Sequence, residues 1–233
     1  MENNNNVIFD QKREGLNAFF SKVYGLMGVG VLVSALVSFI SINFFLPNMI
    51  ALMQANRFIF LLLWLIPLFA VVPMQVAAMK NSKMALPLFI FYSAFMGFLI
   101  AFTLLLYTAT TITLAFGTAT VMFIALSIYG RTTKRNLSGM HKALVAGVIG
   151  LIVIGLANFF IQSTPLMLFA SVIGVIIFSG LIAYDNQKIE QVYNQTGGTD
   201  GWAISMAFSL YLDFLNLFLM LLRIFGIAGG NRN

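Results

Sequence analysis

Cysteine is absent from the 233 residues, and His141 is the only histidine. The first absence excludes disulfides, thiolate zinc sites, iron–sulfur ligation and thiol catalysis. The second leaves no material for a histidine-built metal site or a serine–histidine relay. Charge is scarce too. Charged residues make up 9% of the chain, against about 25% in soluble domains, too few to cover a water-facing surface. No segment alternates apolar and polar residues as a membrane β-strand does. No internal repeat supports an inverted-repeat transporter. Without a nucleophile–base pair or a metal-ligand set, the chain is not expected to be an enzyme or to carry a cofactor.

What is present is apolar. Hydrophobic residues make up 60% of the chain, with 24 Phe and 13 Met. Seven runs have the length needed to cross a bilayer, about 20 residues each: Val23–Leu46, Phe58–Met79, Met84–Tyr107, Thr110–Tyr129, Ala143–Ile161, Leu166–Asp185 and Trp202–Ile227. The expected fold is an all-α integral membrane protein with seven transmembrane helices. Residues 1–22 read as a polar cytoplasmic tail, of which Met1–Gly15, with the run Asn3–Asn6 and no small-residue cleavage site, is expected to be mobile and retained. Residues 23–227 form the membrane domain and 228–233 a short C-terminal tail.

The net charge of +6 does not point to nucleic acid, because the basic residues collect beside span ends. That pattern is a topology signal. With the N-terminus inside, Lys12, Arg13, Lys22, Lys80, Lys83, Arg131, Lys134, Arg135, Lys142 and Lys188 are cytoplasmic, and Arg57, Arg223 and Arg232 are outside. The bias places the C-terminus outside, and the expected location is the cell inner (plasma) membrane, as a multi-pass protein.

Several features read as packing. Pro67, Pro73 and Pro87 remove backbone donors and are expected to bend spans two and three. Gly30, Ser34 and Ser38 form a small-residue stripe for close helix approach. The hydroxyls of Thr110, Thr111, Thr113, Thr118 and Thr120 can bond back to their own helix. His141 reads as a loop residue or, alternatively, a pH sensor.

Only Asp185 and Asp213, of seven acidic residues, fall in or at the edge of apolar spans. An aspartate at the centre of a spanning helix costs about 2.5–3.5 kcal/mol on insertion scales, so such acids are functional candidates. Ser205, Ser209, Asp213 and Asn216 recur at helical spacing on one face of span seven, with Arg223 near the same face. Arg223 is an outer-interface anchor or a gate partner for that stripe. Tyr184 and Tyr211 either bond the carboxylates or pack. Asp185 is expected at the inner end of span six, followed by a polar loop. Asp213 lies about 16 Å inside span seven, so the two meet only if span six tilts or the loop dips inward.

Leu181–Ile189 carries a Tyr-Asp-x-Gln-x-Ile core that resembles the signature of the Bax-inhibitor family. Ser209–Phe218 through Arg223 resembles that family's last helix, and Tyr129–Ser138 a loop of its bacterial branch. The resemblance covers essentially the whole chain after the tail. It implies seven helices with the last one central in the bundle. It also implies a pH-regulated calcium leak with two aspartates as sensor, roles that fall on Asp185 and Asp213. For some bacterial members it implies a tie to a membrane-anchored ATP-dependent protease. A basic inner latch near the end of span two falls at Lys80 and Lys83, where such members have Arg. Physical chemistry agrees with the sensor role. Two adjacent carboxylates in low dielectric cannot both ionise cheaply and titrate as one unit. With Asn216, hydroxyls and water they make at most a weak, transient calcium site, since calcium takes six to eight oxygens. The expected partners are thus the bilayer, calcium, protons and, for the second role, a membrane protease.

Overall fold

The computed structural model describes the backbone of residues 2–55 and 57–230 and the side chains of 11–54, 58 and 61–230. The side chains of Asn3–Asn6 and Arg57, and all of Arg232, lie outside the described residues. Among the described residues there is no strand. The helices are α1 (Glu2–Phe44), α2 (Leu46–Ala55), α3 (Arg57–Met79), α4 (Ala85–Leu104), α5 (Ala109–Thr132), α6 (Ser138–Ile161), α7 (Thr164–Thr196) and α8 (Asp200–Ala228). Seven are long and apolar enough to cross a membrane. The eighth, α2, was not expected. Its ten residues rise about 15 Å, half the hydrocarbon thickness.

Two helices run well past the expected spans into polar sequence. α1 is helical over residues 11–22, where a polar tail, mobile through Gly15, was expected. Phe19, Phe20, Val23 and Met27 are buried along it, so the apolar stripe begins before the apolar run. The Phe19 and Tyr193 rings lie 5.6 Å apart, and Lys22 Nζ reaches Asp200 at 2.5 Å. α7 continues to Thr196 because Ile189 and Val192 extend its buried stripe. The expected polar loop shrinks to Gly197–Thr199. Gly197 and Gly198 take φ of 70° and 75° there, the left-handed region open to glycine. Asp185 is therefore inside a helix and not at its end.

The chain forms two compact units. One comprises the described residues through Phe102 together with Lys188–Tyr211. The other comprises Thr103–Gln187 together with the described residues from Leu212. In the first unit α1 and α4 approach at backbone distance. A Cβ on Gly97 would strike the Ser34 carbonyl. Ser34 Oγ donates to the Ser93 carbonyl at 2.8 Å and Ser38 Oγ to that of Gly97 at 2.6 Å. The small stripe thus packs as expected. The first part of α8 lies against α1, α3 and α4. The Tyr211 hydroxyl shares a 2.7 Å hydrogen bond with Ser34 Oγ. Phe208 meets Tyr92 edge-on at 4.8 Å.

In the second unit α7 is packed by three helices. Gly147 and Leu144 of α6 meet Ile177 and Gly180, and Gly130 of α5 leaves no room for a Cβ beneath the Ala183 carbonyl. Gly174 faces Met220 of α8, whose Sδ would lie 2.8 Å from an added Cβ. Phe214 of α8 packs edge-on against Phe116 and Phe123 of α5, 5.7 Å from each. Burial of the most apolar window runs from 6% in α6 to 67% in α8. Pro67 and Pro73 are inside α3. Pro87 instead sits in the first turn of α4, where a missing donor leaves no helical bond unmade, so it does not interrupt the span. Thr113 and Thr120 bond back to the Ala109 and Phe116 carbonyls.

Candidate functional site

Asp185 and Asp213 are both buried, at 8% and 7% exposure, and both belong to the second unit. The Gly174–Met220 approach sets how their helices face each other. Asp185 follows Gly174 by eleven residues, and Asp213 precedes Met220 by seven. These steps are close to three and two whole turns at 3.6 residues per turn. Each carboxylate thus lies on the face of its helix that meets the other. The difference of four residues sets them about 6 Å, or roughly one turn, apart in height. The expected 16 Å offset assumed that α7 ends at Asp185, and its continuation reduces that offset to about 6 Å.

Around Asp185 each neighbouring side chain goes to a different element. Tyr184 stacks on His141 of α6, with centroids 4.3 Å apart and planes 20° from parallel. Asn186 is fully buried and donates to Ser127 Oγ of α5 at 3.1 Å and to the Ile182 carbonyl at 2.7 Å. Gln187 holds the α5–α6 connection at both ends of its amide. Its Oε1 accepts from the Leu137 N–H at 2.9 Å, and its Nε2 donates to the Arg135 carbonyl at 2.8 Å. Three consecutive contacts fix the rotation of α7 and hence the direction of Asp185. His141, expected in a loop, is in the first turn of α6.

The α8 stripe has divided duties. Ser205 donates to Gln75 Oε1 of α3 at 2.5 Å, and Gln75 Nε2 donates to Ser209 at 3.2 Å. The two serines and Gln75 form a helix clasp. Asn216 donates to the Leu212 carbonyl of its own helix at 2.8 Å. Arg223 is half-buried. The Tyr211 hydroxyl serves the hydrogen bond with Ser34 described above. Lys80 and Lys83 are exposed between α3 and α4. Gln75, Asn186, Gln187 and Ser127 had not been singled out. A lone glutamine in an apolar span, and two amides following the buried acid, were the available signals. Among the described residues no three His, Asp or Glu side chains gather as a metal site. A cation at the aspartates would draw its other oxygens from carbonyls, amides and water.

Seven apolar helices and two buried aspartates on facing helices define an integral membrane protein of the α-helical class. The family described as inhibitor of apoptosis-promoting Bax1 matches residues 16–230. The chain is 67% identical to the Lactococcus lactis protein YrjE, over 99% of this chain and 100% of that one. It is 47% identical to a membrane protein of Streptococcus pyogenes serotype M1, over 96% and 98% of the two chains. It is 39% identical to the Escherichia coli inner membrane protein YbhL, over 93% and 94%. The chain belongs to the Bax inhibitor-1 family.

Proposed function

We propose that this membrane protein is a pH-regulated calcium leak, with Asp185 and Asp213 as its proton sensor and as a point on the cation pathway. The observation that carries the reading is the placement of two buried carboxylates on facing sides of α7 and α8, about one turn apart. In low dielectric such a pair retains a proton more readily than two charges. The shared proton ties α7 to α8. Its loss leaves two repelling charges and an attractive place for a cation, so cation and proton compete, and cation occupancy rises with pH. The chain works without a cofactor and without enzymatic chemistry. The N-terminus and the Gly197–Thr199 turn face the cytoplasm, and the C-terminus faces outside.

Calcium flux into liposomes holding the purified protein, measured across pH, tests this reading. A flux whose pH dependence is lost in Asp213→Asn is expected. Flux absent at every pH would leave the second role implied by the resemblance, modulation of a membrane protease. Single cysteines at Thr199 and Ser163 test orientation. Labelling of the first from inside only and the second from outside is expected.

A further inference from the structure

We infer that the α5–α6 connection and the helix ends beside it, Arg131–Lys142, form a docking surface for acidic phospholipid headgroups, and that Gln187 couples its occupancy to the Asp185 turn. The coupling half of this inference rests on the function proposed above, whereas the docking half does not. Arg131, Lys134, Arg135 and Lys142 are all exposed. No acidic residue occurs anywhere between Glu14 and Asp185, so α5, α6 and their connection carry none, and the acids nearest in sequence are Asp185 and Glu190 of α7. The cations stand beside exposed apolar side chains, Ile128, Tyr129, Met140 and Val145. Cationic heads over an apolar and aromatic flank suit the boundary between headgroup and acyl chain. Because these flanks end two membrane spans, the cations stand at the level of the lipid headgroups, where acidic heads are the nearest anions.

The connection is also held firmly. Leu137 is buried against Ala183 and Tyr184 of α7. Gln187 grips the segment at the Leu137 N–H and the Arg135 carbonyl. A span-end basic cluster that only sets topology needs no such grip. Here the cationic segment is bonded to a residue two positions from the buried aspartate. A headgroup that pulls on Lys134 or Arg135 therefore bears on the turn that directs Asp185.

The full chain in nanodiscs of phosphatidylcholine with phosphatidylglycerol provides the test. Lipid retained on the protein is measured by mass spectrometry, with no flux needed. Wild type is expected to be enriched in phosphatidylglycerol. The triple variant Lys134→Gln, Arg135→Gln, Lys142→Gln should lose about five-fold in enrichment per cation at low salt. The pair Lys12→Gln, Arg13→Gln serves as a control and should lose far less. Equal losses in both variants, or no enrichment in wild type, overturn the docking surface. Inorganic phosphate in phosphatidylcholine nanodiscs that protects the 133–142 amides from exchange as well as phosphatidylglycerol does would identify a soluble-anion site instead. The coupling is read with Gln187→Ala, which should keep the enrichment, speed exchange at the Leu137 amide and abolish the effect of phosphatidylglycerol on flux. An unchanged lipid effect on flux in that variant overturns the coupling. Enrichment without flux in any protein would separate failure of the leak from failure of the docking surface.

Discussion

The two compact units handle polarity inside a membrane protein in opposite ways. In the first, the described acids Glu14, Glu190 and Asp200 are exposed. Its interior polarity is neutral, consisting of Ser34, Ser38, Ser93, Gln75, Ser205, Ser209 and Tyr211. These groups bond from one helix to the next. In the second, Asp185 and Asp213 are the only acids, and both are buried. Its helices meet through glycines and phenylalanines and through the neutral amides of Asn186 and Gln187. Neutral hydroxyls and amides can be satisfied once and left alone, which is what a clasp requires. A carboxylate in the same setting is the group that the proposed proton sensing needs. On that proposal the first unit serves cohesion, and the second holds the groups that would switch.

Neutralising the second unit's acids should give the largest effect. Asp213→Asn keeps shape and hydrogen bonding but removes the charge. It and Asp185→Asn are each expected to abolish most of the pH response of liposomal flux, and the double variant to add little. If the two effects simply add, the carboxylates act independently and the shared proton is wrong. Next come the backbone-close glycines. Gly97→Ala in the first unit and Gly130→Ala in the second should each destabilise by about 1–3 kcal/mol, measured by thermal unfolding in detergent. If either variant is as stable as wild type, the close approach at that glycine is wrong. Gln75→Leu cuts the α3–α8 clasp and should cost about 0.6–1 kcal/mol while leaving the pH profile of flux in place. A shift of that profile comparable to the effect of Asp213→Asn would break the distinction between cohesion and switching. Smallest of all, Thr113→Val and Thr120→Val on α5 should stay within about 0.5 kcal/mol of wild type, because their hydroxyls bond only to their own helix.

The seven spans were legible because each is a long apolar run, and the two aspartates because they interrupt or end such runs. The continuation of α7 was not legible from hydropathy, since residues 186–196 are mostly polar. Its signal was periodicity: Ile189, Val192 and Tyr193 repeat at helical spacing after Asp185. The same holds for Phe19 and Phe20 in α1. The cost of missing this was specific, because it produced the apparent depth offset between the two acids. Gln187 had a signal as an amide following the buried acid, but the partners of the Tyr184–His141 stack and of the Gln187 grip had no such signal. These contacts join residues 43 and 50 positions apart, which no local pattern reports. Residues flanking Asp185 looked like sequence around a site, whereas they are the contacts that aim it.

The length of α7 has one more consequence. Its 33 residues extend about 50 Å, well beyond a hydrocarbon core of about 30 Å. Asp185 lies 21 residues from Thr164, roughly 32 Å along the axis, level with the far edge of that core. A helix this long answers a thicker or thinner bilayer by tilting. A few ångströms of thickness thus change the tilt of the helix that carries the buried Asp185 and the level of its polar end, residues 186–196. If the proposed leak holds, acyl-chain length would act on its site through the tilt of one helix.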